Sequence, residues 1–157
     1  MSLARDQIGR AEDRLRDART AFHERRLADA TRYSQEALEL ALKAALRSVA
    51  VEVPKRHDVA PELSSVFGVL PKWFAREIPT IKQISFELAQ RRSLAMYGDE
   101  RTGRPANELF VDPLEVERYL MQVDRAVKLS RRLIGPNRRK GTRARRSASE
   151  GDSSDSP

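Results

Sequence analysis

The sequence predicts an all-α protein, an antiparallel up-and-down bundle of about five helices with a disordered basic C-terminal tail. Apolar residues recur at steps of three and four along most of the chain, which is the period of an amphipathic helix. No segment alternates convincingly as a strand, and the links between the helical patterns are short, as they are in bundles. At 157 residues the chain is expected to form one domain, residues 1–135, followed by a tail, residues 136–157.

The first two predicted helices differ in how much of their surface is apolar. The first covers about residues 4–25 and is apolar on one side only. Its stripe consists of Ile8, Ala11, Leu15, Ala18 and Phe22. The second, about residues 28–51, has an apolar arc too wide for a surface helix, so it is expected at the centre of the bundle. Asp29 complements the positive end of its dipole, and Pro54 ends it. A short strand over residues 49–53 is the alternative for its last turn.

The middle of the chain predicts two more helices. Residues 55–60 are expected to form a loop. A shorter helix follows over about residues 63–74, either continuous or broken near Pro71. A fourth helix covers about residues 80–96, and Gly98 stops it. Its apolar side consists of Ile81, Ile84, Leu88 and Ala95.

The last helix has clear start and stop signals. After a polar loop over residues 98–107, Asp112 is predicted as its N-cap, with Pro113 in the first helical position. Glu115 at the third position completes a start that resembles a capping box. Gly135, followed by a proline, is expected to end the helix.

Composition excludes several classes of function. The chain has no cysteine, so disulfides, thiolate metal sites and cysteine nucleophiles are excluded, and a reducing compartment such as the cytoplasm is the expected location. No signal peptide is visible, and no stretch approaches the roughly 20 apolar residues that span a bilayer. We therefore expect a soluble cytoplasmic protein without a membrane partner. No cofactor and no metal site are predicted.

The tail separates its charges into a basic arm and an acidic tip. The net charge of the whole chain is +7. The basic residues of the tail are Arg138, Arg139, Lys140, Arg143, Arg145 and Arg146, and its acidic residues are Glu150, Asp152 and Asp155. Such an arm can bind nucleic acid without sequence preference through phosphate neutralisation, and it has no aromatic residue to stack on bases. A nonspecific nucleic-acid anchor, a solubility tail and an interaction arm remain equal alternatives.

The strongest candidate site lies where the fourth helix ends, in residues 91–100, which we call the motif segment. Arg91 and Arg92 suit recognition of a phosphate or nucleotide, and ion pairs with neighbouring carboxylates are the alternative. Tyr97 is interpreted as an apolar cap at the helix end or as a stacking platform for a base. Asp99 and Glu100 are two carboxylates without a histidine, which is a poor metal-ligand set, so they are expected to be solvated in the loop.

Three short motifs occur in an order that resembles the HEPN family (higher eukaryotes and prokaryotes nucleotide-binding domain). The second helix matches the family pattern Ala-x-Glu-x-x-Leu-Lys-Ala at Ala37, Glu39, Leu42, Lys43 and Ala44. The other two motifs are His57-Asp58-Val59 in the following loop and Tyr97-Gly98-Asp99-Glu100 at the end of the fourth helix. The resemblance covers about residues 4–135 and implies a helical bundle.

The resemblance also implies a chemistry for the fourth helix. Many members of this family cleave RNA without a metal through an Arg-x(4–6)-His motif, and two copies of the motif meet across a homodimer. Here Met96 and Tyr97 stand after four intervening residues from Arg91 and Arg92, and the window contains no histidine. Histidine titrates near neutral pH, whereas tyrosine, with a pKa of about 10, is a poor general base. The ribonuclease motif is therefore incomplete.

Three functions remain open. The leading hypothesis is a non-catalytic, HEPN-like homodimer that uses Arg91, Arg92, Tyr97, Asp99 and Glu100 to bind a nucleotide, RNA or a partner nucleotidyltransferase. That partner is implied by the resemblance, because such pairs form toxin and antitoxin systems. The second hypothesis is a divergent metal-independent ribonuclease that uses Arg91 or Arg92 with Tyr97. The third is a helical protein-interaction module whose basic tail alone binds nucleic acid.

Overall fold

The fold is an all-helical bundle, seen in a computed structural model that describes residues 2–49, 52–53 and 55–136. Within these residues four helices are long and form the bundle, and three are short and connect them. In chain order they are α1 Ser2–His23, α2 Leu27–Ser48, α3 Ala60–Ser65, α4 Lys72–Ala75, α5 Ile78–Tyr97, α6 Ala106–Leu109 and α7 Pro113–Ile134. A single 3-10 turn, Phe67–Val69, lies between α3 and α4. The predicted fold class is confirmed, and the long helices number four.

Side-chain contacts give the direction of the long helices. A turn of three residues joins α1 to α2, so these two helices run antiparallel. Glu12 of α1 bonds to Arg131 of α7, and Arg19 of α1 bonds to Asp124 of α7, so α1 and α7 are also antiparallel. The contacts between α5 and α7, described below, follow the same reversed order. The bundle is therefore up and down, as the sequence predicts.

Helix α2 lies at the centre, packed against α1, α5 and α7. Its exposed surface is small because alanines and leucines occupy most of its circumference. The buried residues of α2 are Leu27, Ala30, Thr31, Ser34, Gln35, Ala37, Leu38, Ala41, Leu42, Ala44, Ala45 and Leu46. Small alanine side chains let neighbouring helices approach closely, and the leucines fill the space between them. The central position predicted from the wide apolar arc is confirmed.

The segment after α2 departs from the sequence prediction in two ways. Helix α2 ends at Ser48, three residues before the predicted end at about residue 51, so Pro54 does not end it, and the alternative strand is not seen at residues 49, 52 and 53, the described part of that segment. The shorter helix expected over residues 63–74 is divided into α3, the 3-10 turn and α4. The division has a local cause, because Leu70 is extended (φ −85°, ψ 145°), as is typical of a residue that precedes a proline.

The single-turn helix α6 begins at Ala106, inside the loop expected over residues 98–107, so that prediction was wrong at its end. The ends of α7 follow the prediction more closely. The Asp112 carboxylate accepts a hydrogen bond from the Leu114 N–H (3.0 Å), and the N–H of Gly135 (φ 88°) donates to the Arg131 carbonyl. Glu115, however, does not act as expected for a capping box, because its carboxylate accepts hydrogen bonds from side chains of α5 and α7.

No helix in the described part of the chain is long and apolar enough to cross a membrane. The predicted disordered tail, with its basic arm at Arg138, Arg139, Lys140, Arg143, Arg145 and Arg146, lies outside the described residues.

Candidate functional site

The two arginines of the motif segment have different surroundings. Arg91 bonds to the Glu115 carboxylate of α7, and its guanidinium lies 5.5 Å from the centre of the Phe110 ring. Arg92 Nη1 is 2.9 Å from the sulfur of Met96, one turn further along α5. Arg92 Nε is buried and has no hydrogen-bond partner among the described residues. Arg91 therefore forms an ion pair, the alternative to phosphate recognition, whereas Arg92 contacts the neutral sulfur of Met96.

Arg91 belongs to a polar network that joins α5 to α7. The Tyr119 hydroxyl lies 2.6 Å from Glu115 Oε1 and 3.2 Å from Glu87 Oε1. Arg118 donates to both carboxylate oxygens of Glu87, at 2.6 Å and 3.2 Å. Such a two-point contact fixes the orientation of both groups. Since Arg91 meets Glu115 and Glu87 meets Arg118, higher residue numbers on α5 meet lower numbers on α7.

The network shifts the pKa values of its members in opposite directions. Hydrogen bonding to Arg118 is the main cause that lowers the pKa of Glu87, so this carboxylate stays ionised. Burial is the main cause that raises the pKa of Tyr119, and its hydrogen bond to Glu115 adds to the rise. Tyr119 therefore remains a neutral donor between two carboxylates at physiological pH.

Tyr97 was expected either to cap the core or to offer a stacking face, and the structure decides against the core. Its side chain is 66% exposed at the last position of α5. The reason is helical periodicity: Tyr97 lies nine positions after the fully buried Leu88, which places the two on opposite sides of the helix. The core-cap interpretation was wrong.

The loop after α5 is closed by Gly98 and Asp99. Gly98 has φ 72°, and a Cβ at this position would stand 2.5 Å from the Arg104 carbonyl oxygen. The Asp99 N–H donates to that same oxygen (2.8 Å), and the Asp99 carboxylate accepts the backbone N–H groups of Arg101 and Thr102. Hydrogen bonds from Thr102 hold the pKa of Asp99 below its ordinary value. Asp99 thus shapes the turn, while Glu100 is exposed.

A cleft of about 420 Å³ lies beside the motif segment, at the end of the bundle where α1 turns into α2. We call it the terminal cleft. Ala95 and Met96 form its α5 wall, and Phe110 lies at its side beyond α6. The complete lining is Arg25, Arg26, Leu27, Ala28, Asp29, Ala95, Met96, Ala106, Asn107 and Phe110. Motif-segment residues thus meet the α1–α2 turn, whose arginines were not among the predicted site residues.

The α1–α2 turn brings unusual backbone to the terminal cleft. Arg25 has φ 62°, in the left-handed region that side chains other than glycine rarely adopt. Arg26 donates hydrogen bonds to Glu24 (2.9 Å) and to Asp29 (2.9 Å), so its charge is balanced locally. Sequence patterns do not report a backbone angle, and two arginines at a helix end look like ordinary solvated charges. The proximity of this turn to α5 was visible only in the fold.

A second cluster unites two of the sequence motifs. Glu39 of α2 accepts hydrogen bonds from Gln35 (2.9 Å) and Lys43 (2.7 Å), and its Oε2 lies 2.9 Å from His57 Nδ1. Burial raises the pKa of Glu39, but hydrogen bonds led by the one from Lys43 outweigh burial, and the net pKa is lowered. Asp58 accepts a hydrogen bond from the Ser85 hydroxyl of α5 (2.8 Å). The His-Asp loop is thereby tied to both α2 and α5.

No group of three or more histidine and acidic side chains in the described part of the chain is arranged to hold a metal ion. The predicted nucleic-acid arm in the tail lies outside the described residues.

The comparison with protein-family models agrees with the three sequence motifs. No curated protein matches the chain. The family model of the HEPN domain matches residues 4–133, which is most of the sequence and all four long helices apart from their outermost residues. The chain therefore belongs to the HEPN domain family.

Proposed function

We propose that this HEPN-domain protein is a non-catalytic binding protein that takes the phosphate group of a nucleotide in the terminal cleft. The observation that carries the proposal is the exposed Arg25, which lies on the cleft that Ala95 and Met96 of the motif segment also line. Its left-handed backbone belongs to the end of α1, where the N–H groups of Arg25 and Arg26 donate to the carbonyls of Phe22 (3.0 Å) and Ala21 (2.8 Å), so the exposed guanidinium alone carries the argument.

The lining of the terminal cleft suits the two halves of a nucleotide. Arg25 and Asn107 offer N–H donors that match phosphate oxygens. Ala95, Met96 and Phe110 form an apolar wall of the kind on which a base rests. The volume of about 420 Å³ lies within the usual range of small-molecule sites, roughly 300 to 1,000 Å³.

Helical geometry favours binding over catalysis by the motif segment. Arg91 and Tyr97 are six residues apart, so their side chains leave α5 about 120° apart around its axis, and Arg92 and Tyr97 are about 140° apart. Arg91 is also engaged by Glu115. Within one chain these groups do not converge on a single phosphate. The absence of histidine from α5 leaves no side chain that titrates near neutral pH on this helix.

Calorimetric titration with ATP, AMP and pyrophosphate tests the proposal. We expect Arg25→Gly to weaken binding at least tenfold, because it removes the guanidinium. The same change should leave the unfolding temperature equal or higher, because glycine removes a left-handed penalty of roughly 1 to 2 kcal/mol, partly offset by its greater unfolded-state entropy. Arg56→Gln, an exposed arginine on the loop before α3, is the control and should bind as the wild type does. No binding at millimolar ligand, or unchanged binding by Arg25→Gly, contradicts the proposal.

A ribonuclease that uses Arg91 or Arg92 with Tyr97 is the competing function. Incubation of the purified chain with mixed RNA separates the two. We expect the RNA to stay intact. Cleavage that is lost in both Arg92→Ala and Tyr97→Phe would replace the binding proposal with the enzyme.

We further propose that the chain forms a homodimer. Large apolar side chains lie exposed at the end of the bundle where α5 ends and α7 begins, at Tyr97, Val111 and Leu114. Light scattering at micromolar concentration should give twice the mass of one chain, and Leu114→Asp should return it to one. A monomer in both samples contradicts the dimer. A small nucleotidyltransferase, implied by the family resemblance, is the proposed protein partner, and an adjacent gene for one would support it.

A further inference from the structure

The two arginines that line the terminal cleft differ in whether their charge is already paired. Arg25 and Arg26 both lie on its lining, and both are exposed. Arg26 donates one hydrogen bond to Glu24 and another to Asp29, each 2.9 Å long, and forms an ion pair with both carboxylates. Arg25 forms no ion pair with any other described residue. The lining therefore offers a ligand one guanidinium whose charge is not yet balanced.

The two carboxylates lie on the same turn as that guanidinium. Glu24 directly precedes Arg25 in the chain, and Asp29 lines the terminal cleft itself. Their side chains are 56% and 40% exposed, so burial hides neither charge. Asp29 also lies in the first turn of α2, where its charge offsets the positive end of the helix dipole. A ligand with several negative charges would meet these carboxylates as well as Arg25.

The remaining walls of the terminal cleft bring no charge of their own. Apart from the α1–α2 turn, the lining consists of apolar side chains and the neutral Asn107. Arg92 of α5 contacts the sulfur of Met96, a lining residue, at 2.9 Å, but it does not line the cleft itself. The volume of about 420 Å³ is also near the lower end of the usual range for small-molecule sites, roughly 300 to 1,000 Å³. Charge and size both favour a small ligand with one phosphate group.

We propose that the terminal cleft selects a nucleoside monophosphate, and that Glu24 and Asp29 reject longer phosphate chains. The inference rests on the proposed function, because it names the ligand class of the same site. A phosphate monoester carries a charge of about −1.5 to −2 at pH 7, and one guanidinium binds it through two parallel N–H···O hydrogen bonds. Each added phosphate of a diphosphate or triphosphate brings further negative charge, and the described lining holds no second unpaired cation to receive it.

Rejection by charge is distinguishable from a simple lack of room. Repulsion between exposed charges is screened by salt, since the Debye length falls from about 10 Å at 0.1 M to about 3 Å at 1 M. A steric limit does not change with salt. A preference for the monophosphate that narrows at high salt therefore identifies the carboxylates, and not the volume of the cleft, as its cause.

Calorimetric titration of the full chain with adenosine, AMP, ADP and ATP, in EDTA and again in excess Mg²⁺, tests the selectivity. In EDTA the affinity should fall in the order AMP, ADP, ATP, with AMP about fivefold or more tighter than ATP at low salt. The gap should narrow from about 0.05 M to about 0.5 M NaCl, and Mg²⁺ should narrow it without reversing it, because both reduce the effective charge of the triphosphate.

The same titrations separate failure of the selectivity from failure of the proposed function. ATP that binds as tightly as AMP in EDTA, or more tightly than AMP in Mg²⁺, overturns the selectivity while nucleotide binding stands. Adenosine should bind about tenfold or more weakly than AMP, because it cannot pair with Arg25. Adenosine that binds as tightly as AMP, or no binding of any nucleotide, overturns the proposed function and the selectivity with it.

Two single substitutions assign the selectivity to the carboxylates. Asp29→Asn and Glu24→Gln each remove one negative charge and one partner of Arg26, so each should raise the affinity for ATP relative to AMP about threefold or more at low salt. The matched control is Asp13→Asn, which breaks an ion pair with Arg16, three residues away on α1 and outside the cleft, and should leave the ratio unchanged. If circular dichroism shows that one variant misfolds, the other variant and the salt dependence of the wild type still decide. An unchanged ratio in the folded variants, or a gap that does not narrow with salt, overturns the assignment to charge.

Discussion

Helix α5 contacts the rest of the bundle through two sides of opposite character. Toward the core it buries Ile81, Ile84 and Leu88, each at most 3% exposed. Toward α7 it presents Glu87 and Arg91, which join the network around Tyr119. Burial of an apolar side chain stabilises by about 1.5 to 3 kcal/mol, whereas charged groups lose much of their gain to desolvation. The core side therefore supplies stability, and the α7 side fixes how α5 is oriented at the terminal cleft.

The largest expected effect comes from the core side. Leu88→Ala should lower the free energy of unfolding by about 2 to 5 kcal/mol, because Leu88 is fully buried and its removal leaves a cavity. Urea denaturation followed by circular dichroism measures the loss. Phe86→Ala, an exposed apolar residue on the same helix, is the control and should change stability by less than about 1 kcal/mol. Equal losses in the two variants would contradict the division of α5 into two sides.

A smaller effect is expected on the α7 side. Tyr119→Phe removes only the hydroxyl that lies between Glu115 and Glu87, and should cost about 1 kcal/mol, the usual value of one hydrogen bond. Both carboxylates keep an arginine partner, so neither is left uncompensated. The same urea titration checks it. A loss as large as that of Leu88→Ala would show that the network, and not only the core, holds α5 in place.

The smallest effect is a dependence on pH. Because the folded-state pKa of Glu87 is lowered by Arg118, its contribution to stability is present above the unfolded pKa and is lost as pH falls through the folded value. Stability should therefore decline below about pH 4.3. The urea midpoint measured from pH 6 to pH 3 should fall less steeply in Glu87→Gln than in the wild type. Parallel curves would mean that the ion pair with Arg118 contributes nothing measurable to stability.

The sequence predicts those parts of the molecule that local chemistry decides. Asp112, Pro113 and Gly135 set the ends of α7 through their own backbone preferences, and each acts as expected. The exposure of Tyr97 could also have been predicted from the sequence, since its register against Leu88 places it opposite the core. The partner of Arg91 could not be predicted, because Glu115 is 24 residues away and only the packing of α5 on α7 brings the two together.

The candidate site shows the same limit. The motif segment was proposed from its residue types, and it lies within residues 4–133, the part of the chain that the family model matches. Half of the terminal cleft comes from Arg25 and its neighbours, which carry no motif. Their position on the cleft depends on the three-residue turn from α1 into α2 and on the direction of α1 relative to α5, and neither is visible in a local pattern.

Gly98 has a consequence for how this gene can vary. An added Cβ would collide with the Arg104 carbonyl at 2.5 Å, whereas at Gly103, which also has positive φ, it would meet no atom within 4 Å. In a library that samples all amino acids at both positions, codon 98 should retain only glycine among folded clones, while codon 103 should also admit asparagine and aspartate, which tolerate the left-handed region. The loop that begins inside the motif segment is thus closed to substitution at Gly98 and open to it at Gly103.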